Sequence, residues 1–170
     1  MIKQDILENQ ANTVYLAIGS NLGNRVHNIE KAKFLLIEHN ISFISVSKYY
    51  ETPSWPNLNN PKFINIVLKA KTSYDPIYLL NLCKSIEITL GRKRTPKNSP
   101  RECDIDIIDY NCSIYRDKIN LPHKMMHKRN FVLFPLFEIE KVWFHPIKKV
   151  YIENLIFSLS NNDISSIKQI

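Results

Sequence analysis

Hydrophobic residues recur along this chain with two different periods. Residues 13–18 (TVYLAI) form a continuous, β-branched apolar run, the mark of a buried strand. GSNLGN (19–24) breaks it. Val26, Ile29, Ala32, Phe34, Leu36 and Ile37 then fall at helical spacing up to about His39. Residues 41–50 (ISFISVSKYY) alternate and predict a second strand. Residues 51–61 (ETPSWPNLNNP) carry three prolines and three asparagines and predict a loop. Alternation returns over 62–71. Asp75-Pro76 predicts a helix start, with Asp as N-cap and Pro at the first helical position. That helix runs to about Leu90 and stops at Gly91. A basic loop reaches to about Arg101. Residues 102–110 (ECDIDIIDY) predict a fourth strand, 111–119 a turn and short hairpin, 129–139 a helix despite Pro135, and 151–159 a last helix.

The order β-α-β-β-α-β predicts an α+β, ferredoxin-like fold. Its antiparallel sheet would carry helices on one face, plus a small C-terminal hairpin and helices. No repeat, low-complexity tract or linker divides the 170 residues. One domain is expected over 13–160, after a loose N-terminal leader at 1–12 and before a C-terminal tail at 161–170. A hydrophobic fraction of 44% with 23% charged residues excludes an intrinsically disordered chain.

Charge narrows the partners. The formal net charge is +7, from 23 Lys and Arg against 16 Asp and Glu. Arg92, Lys93, Arg94, Lys97 and Arg101 crowd into one ten-residue stretch. An excess of this kind serves solubility or attracts an anion: nucleic acid, a membrane surface or a phosphorylated small molecule. No run approaches the ~18 apolar residues of a membrane span, so no membrane partner is expected. The three cysteines, Cys83, Cys103 and Cys112, have no CxxC spacing. A disulfide framework or zinc knuckle is not expected, and a cytoplasmic location is.

Candidate chemistry gathers at two places. Gly19 and Gly23 lie between a strand and a helix, where they form either a tight turn or a loop that approaches a ligand closely. Ser20, Asn21 and Asn24 serve that loop or simply cap the helix. Asp104 and Asp106 share one face of a strand, with Cα atoms about 7 Å apart from ~3.3 Å per residue. Two neighbouring carboxylates repel unless a cation joins them. Oxygen-only ligands at this spacing suit Mg²⁺ shared with waters and phosphates, and two such ions can share the pair. The bland alternative is a solvated face with salt bridges to the basic loop. Asp109 falls on the opposite parity. Arg92, Arg94 and Arg101 bracket the approach to the pair, and Arg holds phosphate through a planar fork. His123, His127 and Arg129 add polar groups before Phe131. Phe63, Trp55 and Phe131 are either core residues or a stack for a flat ring, and Asn65 shares Phe63's face. Together these residues suggest polyphosphate, Mg²⁺ and a flat heterocycle.

The motifs AIGSNLGNR (17–25), YETP (50–53), FIN (63–65), IEITLGRKR (86–94), PRECDIDII (100–108), LPH (121–123), RNFVLFPLFEI (129–139) and HP (145–146) together resemble the hydroxymethyl-dihydropterin pyrophosphokinases of folate biosynthesis. The resemblance runs from about Val14 to Phe157. It implies a ferredoxin-like fold and transfer of pyrophosphate from ATP to 6-hydroxymethyl-7,8-dihydropterin, with release of AMP. By resemblance, Asp104 and Asp106 bind two Mg²⁺, and Arg92 and Arg101 hold and neutralise the moving phosphates. Glu87, Arg94, Ile107, His123 and Arg129 match nucleotide contacts, with Arg92 and Arg101 beside them. Thr52, Pro53 and Asn65 match pterin contacts, and Phe63 and Phe131 the rings that sandwich it. Asp106 is the candidate acceptor of the hydroxyl proton. The expected partners are ATP and the reduced pterin, with no nucleic acid and no obligate protein partner. Three places depart from the family pattern: Asn98-Ser99 stand for Trp-Gly, Lys124-Met125 for Pro-Arg, and Lys84 for a Gln. The competing reading is a basic ferredoxin-like nucleic-acid-binding module without enzymatic activity. The chain lacks the aromatic signature of an RRM strand.

Overall fold

The architecture is that of a computed structural model that describes residues 11–93, 95–96 and 98–170. Strand β1 (Asn12–Ser20) is buried from Val14 onward, as a continuous apolar run requires. It lies antiparallel between β4 (Phe63–Thr72) and β5 (Asp104–Tyr110). The far edge of β4 takes two short strands, β2 (Ser42–Val46) on its second half and β3 (Tyr50–Thr52) on its first. This is the sheet order of the predicted βαββαβ fold. The stretch 41–50, expected as one strand, breaks because Ser47 turns inward. Its Oγ accepts from Val67 N at 3.0 Å, and the chain changes its place on β4.

Helices α1 (Arg25–Glu38) and α2 (Pro76–Thr89) cover one sheet face. Ile29, Ala32 and Leu36 from α1 and Leu79, Leu82, Cys83 and Ile86 from α2 meet Leu16, Ile18, Ile66, Leu68, Ile105 and Ile107 there. Asp75 caps α2 as predicted, accepting from Ile77 N and Tyr78 N at 2.8 and 2.9 Å. Asn24 caps α1, accepting from His27 N at 3.1 Å.

The opposite face is also covered, in contrast to the expected helices on one face only. A 3-10 turn at Met126–Lys128, α3 (Asn130–Ile139) and α4 (Ile152–Phe157) pack there. Met126, Val132, Leu133, Leu136, Trp143, Ile152 and Leu155 bury Tyr15, Ala17, Val67 and Ile108. Hairpin β8 (Phe144–His145) with β9 (Val150–Tyr151) completes this part, while hairpin β6 (Tyr115–Arg116) with β7 (Asn120–Leu121) adds Tyr115 and Leu121 to the α1–α2 core. The residues expected as a tail form α5 (Asn161–Ser166) and β10 (Lys168–Gln169), and β10 pairs with β3 at the sheet edge. Most of the expected leader lies outside the described residues; Asn12 already belongs to β1. Among the described residues no helix is long and apolar enough to cross a membrane.

One irregularity matters for the site. The β1–β5 register pairs Leu16 with Ile107 but Tyr15 with Asp109, so a bulge at Ile108 shifts the alternation. Asp109 therefore shares the face of Asp104 and Asp106, contrary to simple parity. It still stands apart from them, fully buried, with Trp143 Nε1 donating to it at 2.9 Å. Burial raises its carboxyl pKa.

Candidate active site

Strand pairing places one transverse row of residues across four strands: Tyr50 on β3, Asn65 on β4, Gly19 on β1 and Asp104 on β5. Paired residues share a face, and this is the face of α3, beyond the end of its apolar packing. Thr52 pairs with Phe63 one step further out. The sheet thus brings Thr52, Phe63, Asn65 and Asp104 into one cleft although they are far apart in sequence.

The row closes because its middle member has no side chain. A Cβ on Gly19 would sit 2.6 Å from Asn65 Oδ1 and 3.4 Å from the Phe63 ring. Asn65 is buried and donates from Nδ2 to Thr52 Oγ1 at 3.2 Å. Gly19→Ala is expected to push Asn65 off Thr52 and cost about 1–3 kcal/mol of stability, as overpacking does. Denaturant titration checks this; wild-type stability would show that the close approach is unimportant.

Asn21 joins three segments around this row. Its Nδ2 donates to Pro61 O at 3.1 Å, and its Oδ1 accepts from Arg101 N at 2.8 Å. Its own N–H donates to Arg101 O at 3.2 Å. Of the two roles that the sequence leaves open for this stretch, the cap belongs to Asn24, and Asn21 holds the loops.

The charged half of the cleft is tightly paired. Gly91, at φ +107°, ends α2 in a Schellman motif, with Gly91 N donating to Ile88 O and Arg92 N to Glu87 O, each at 3.0 Å. That turn brings Arg92 back onto Glu87, and its Nη1 also reaches Asp104 Oδ1 at 2.9 Å. Arg101 Nη2 meets Asp104 Oδ2 at 2.5 Å. Arg129 Nη1 meets Asp106 Oδ2 at 3.0 Å, and His123 Nε2 stands 3.8 Å from the same oxygen. Burial lowers the His123 pKa; the Asp106 charge opposes this.

Glu87 works from beneath. It is 5% exposed, and its Oε1 accepts from Ile105 N at 2.7 Å while Oε2 binds Arg92. Both carboxylate oxygens are therefore engaged within the chain, in a post for Arg92. Burial pushes its carboxyl up to about 7, against the pull of the Ile105 amide and Arg92.

The two aromatic candidates each carry a guanidinium. Arg101 Cζ lies 5.1 Å from the Phe63 ring centre and Arg129 Cζ 5.5 Å from that of Phe131. Arg101 Nε is buried without a hydrogen-bond partner among the described residues. Two pockets, of about 390 and 420 Å³, meet at Arg92 and Lys93. One is lined by Leu22, Asn98 and Arg101, the other by Lys84, Glu87, Asp104 and Asp106. Ile107 is buried on the α1–α2 side, so only its backbone can reach a ligand at the cleft. Pro53 lies just beyond β3, next to Thr52. Trp55 is 73% exposed on the proline-rich loop. His127 stands away from the cleft near His145, the ring centres 6.3 Å apart. Arg94 lies outside the described residues.

The donor set fits Mg²⁺. Asp104 and Asp106 are two part-exposed carboxylates on one face, and among the described residues no third acidic, His or Cys group completes a protein cage. Such a pair suits an ion that keeps waters and takes substrate phosphates.

Comparison with known proteins gives the family. The family model for 7,8-dihydro-6-hydroxymethylpterin-pyrophosphokinase (HPPK) matches residues 15–141. The 2-amino-4-hydroxy-6-hydroxymethyldihydropteridine pyrophosphokinase of Aquifex aeolicus is 43% identical over 136 residues, covering 79% of this chain and 84% of the relative. The enzyme of the same name from Bacillus subtilis is 38% identical over 130 residues, covering 75% and 78%. Among solved structures, a Plasmodium falciparum HPPK-DHPS superposes with a TM-score of 0.75 at 16% identity. The match covers 94% of this chain but 46% of that one, so it speaks for the fold alone. With a family match that runs from Tyr15 in the cleft's central strand to just past α3, and relatives of similar length, the chain belongs to the 7,8-dihydro-6-hydroxymethylpterin-pyrophosphokinase family.

Proposed function

We propose that this chain transfers the pyrophosphoryl group of ATP to the hydroxymethyl group of 6-hydroxymethyl-7,8-dihydropterin and releases AMP, a step of folate synthesis. Family membership supports the reaction. The observation that carries the site is the transverse row, which sets buried amide and hydroxyl groups on one side of Gly19 and carboxylates with arginines on the other. A flat heterocycle needs the first set and a polyphosphate the second.

In this reading the pterin lies between Phe63 and Phe131, with Asn65 and Thr52 at its polar edge and Pro53 beside it. Asn65 offers both a donor and an acceptor, which a pterin edge can match. ATP lies along Arg92, Arg101, Arg129 and His123. The pterin oxygen attacks the β-phosphorus, the bond from that phosphorus to the α,β-bridging oxygen breaks, and AMP leaves. Arg92 and Arg101 then shift their hydrogen bonds from Asp104 to the phosphates, where charge builds in the transition state. Asp104 and Asp106, relieved of their arginines, hold the divalent ions. When bound there, Mg²⁺ would supply positive charge to the phosphates and would make the pterin hydroxyl more acidic. In this reading Asp106 accepts the hydroxyl proton. The basic nucleic-acid module has no comparable support: Arg92, Arg101 and Arg129 are paired with the cleft's own acids.

The direct test is product analysis. ATP with the reduced pterin should yield AMP and no ADP; ADP, or no turnover, overturns the reading. Phe131→Ala tests the ring assignment. Loss of one stacked face is worth about 1–3 kcal/mol, or roughly 5–150-fold in pterin affinity. ATP affinity is expected to fall much less, because Arg92, Arg101 and His123 do not touch Phe131 and Arg129 keeps its pairing with Asp106. Calorimetric titration of each ligand reads both values, and an unchanged pterin affinity would refute the stack.

A further inference from the structure

Residues 161–170 touch both walls of the cleft. Asn130 stands between Arg129 and Phe131 at the start of α3 and is 8% exposed. Its Nδ2 donates to Asp163 O at 2.6 Å and to Ser166 Oγ at 3.2 Å, both in α5. Its Oδ1 accepts from Phe131 N at 2.7 Å. The side chain is thus saturated by contacts that fix where α3 begins. A few residues on, β10 pairs with β3, Lys168 opposite Glu51 and Gln169 opposite Tyr50. Ile170 N extends the ladder to Tyr49 O at 3.0 Å. β3 carries Tyr50 of the transverse row and Thr52, the partner of Asn65.

This segment adds little to the core. α5 buries no residue, and both residues of β10 are exposed. Its specific contacts are polar, and they end on the two elements that present Phe131 and Thr52. It also lies beyond residue 141, where the family match stops.

From this placement we infer that residues 161–170 act as a clamp that sets the distance between the Phe131 wall and the Thr52–Asn65 wall, with Asn130 as its positioning residue. The clamp tunes the fit of the flat ring; in the phosphate half Arg92 and Arg101 are held by Glu87 and Asp104 rather than by this segment, and Arg129 by Asp106. The inference rests on the pterin reading above.

The test separates the two ligands. Asn130→Ala removes the α5 anchor, and Lys168→Pro with Ile170→Pro removes the donors that join β10 to β3. Leu36→Ala, in the core under α1, serves as a control for lost stability. Calorimetry with α,β-methylene-ATP and then with 6-hydroxymethyl-7,8-dihydropterin gives both affinities, and thermal melting gives stability. Each clamp variant is expected to weaken pterin binding about tenfold and to leave nucleotide binding within about twofold. Leu36→Ala is expected to lower the melting temperature without changing the ratio of the two affinities. Equal losses for both ligands, or unchanged pterin binding in both clamp variants, would overturn the clamp. If one clamp variant does not fold, the other decides; if neither folds, the segment is a stability element and the clamp is refuted. Wild-type protein that binds nucleotide but no pterin would refute the underlying reading instead.

Discussion

Replacing Asp104 or Asp106 with Ala is expected to cut turnover about 10³-fold while the fold survives. The two carboxylates sit side by side at the open end of β5, 22% and 35% exposed at the side chain, and no apolar contact depends on them. Removing either leaves arginines that are 22–37% exposed, so the stability cost should stay small beside the catalytic loss. The catalytic loss is much larger in the proposed mechanism. Metal-borne charge stabilisation is worth several kcal/mol, and each 1.36 kcal/mol is about tenfold in rate. The two positions should also differ. Asp104 is shared by Arg92 and Arg101, whereas Asp106 is held by Arg129. Turnover measured against Mg²⁺ concentration checks the assignment. Near-wild-type rates at limiting Mg²⁺ for either variant would show that the pair does not hold the ion.

Arg101→Ala should lower kcat by roughly 10²–10³, the ~3–4 kcal/mol of one charge-assisted contact made at developing charge. ATP affinity should stay nearly intact. The basis is the geometry of the free protein. Arg101 already spends one nitrogen on Asp104 at 2.5 Å and lies over Phe63, with Nε buried and unpartnered among the described residues. Its backbone is pinned on both sides by Asn21. The side chain is thus held close to where the β-phosphate is expected, without having to order a loop first. Steady-state kinetics with separate ATP titration distinguishes the cases. An affinity loss of the same size with unchanged kcat would make Arg101 a plain binding residue.

The central elements were legible because burial leaves a pattern. β1 and β4 and helices α1 and α2 announce themselves through apolar period and through Asp75, Pro76 and Gly91. The same rule failed at Ile108, where one extra residue shifts the alternation that placed Asp109 on the wrong face. The break between β2 and β3 depends on a single hydroxyl, that of Ser47, and a hydroxyl has no period. Residues 161–170 look like a tail in sequence because their structure comes from edge pairing and polar contacts, and these need no hydrophobic residue. In the site, Asp104, Asp106 and the arginines were visible as charges close in sequence. Their pairings were not. Glu87 shows why: its role depends on the Schellman turn that folds Arg92 back over it and on the Ile105 amide of the neighbouring strand. The part played by Asn21 was hidden for a related reason, since its partners Pro61 and Arg101 lie at least 40 residues away in the chain.

The transverse row also has a thermodynamic meaning. Tyr50, Asn65, Gly19 and Asp104 come together only when β3, β4, β1 and β5 are all zipped in register. A partly opened molecule that has released β5 or β3 has lost one half of the cleft. Ligands that bridge both halves therefore bind only the fully closed sheet and favour it by mass action, by about 2.7 kcal/mol at a hundredfold excess over Kd. Substrate is in this sense a fastener of the sheet's two edges, and slow amide exchange should spread outward from β1 to β3 and β5 as the cleft fills.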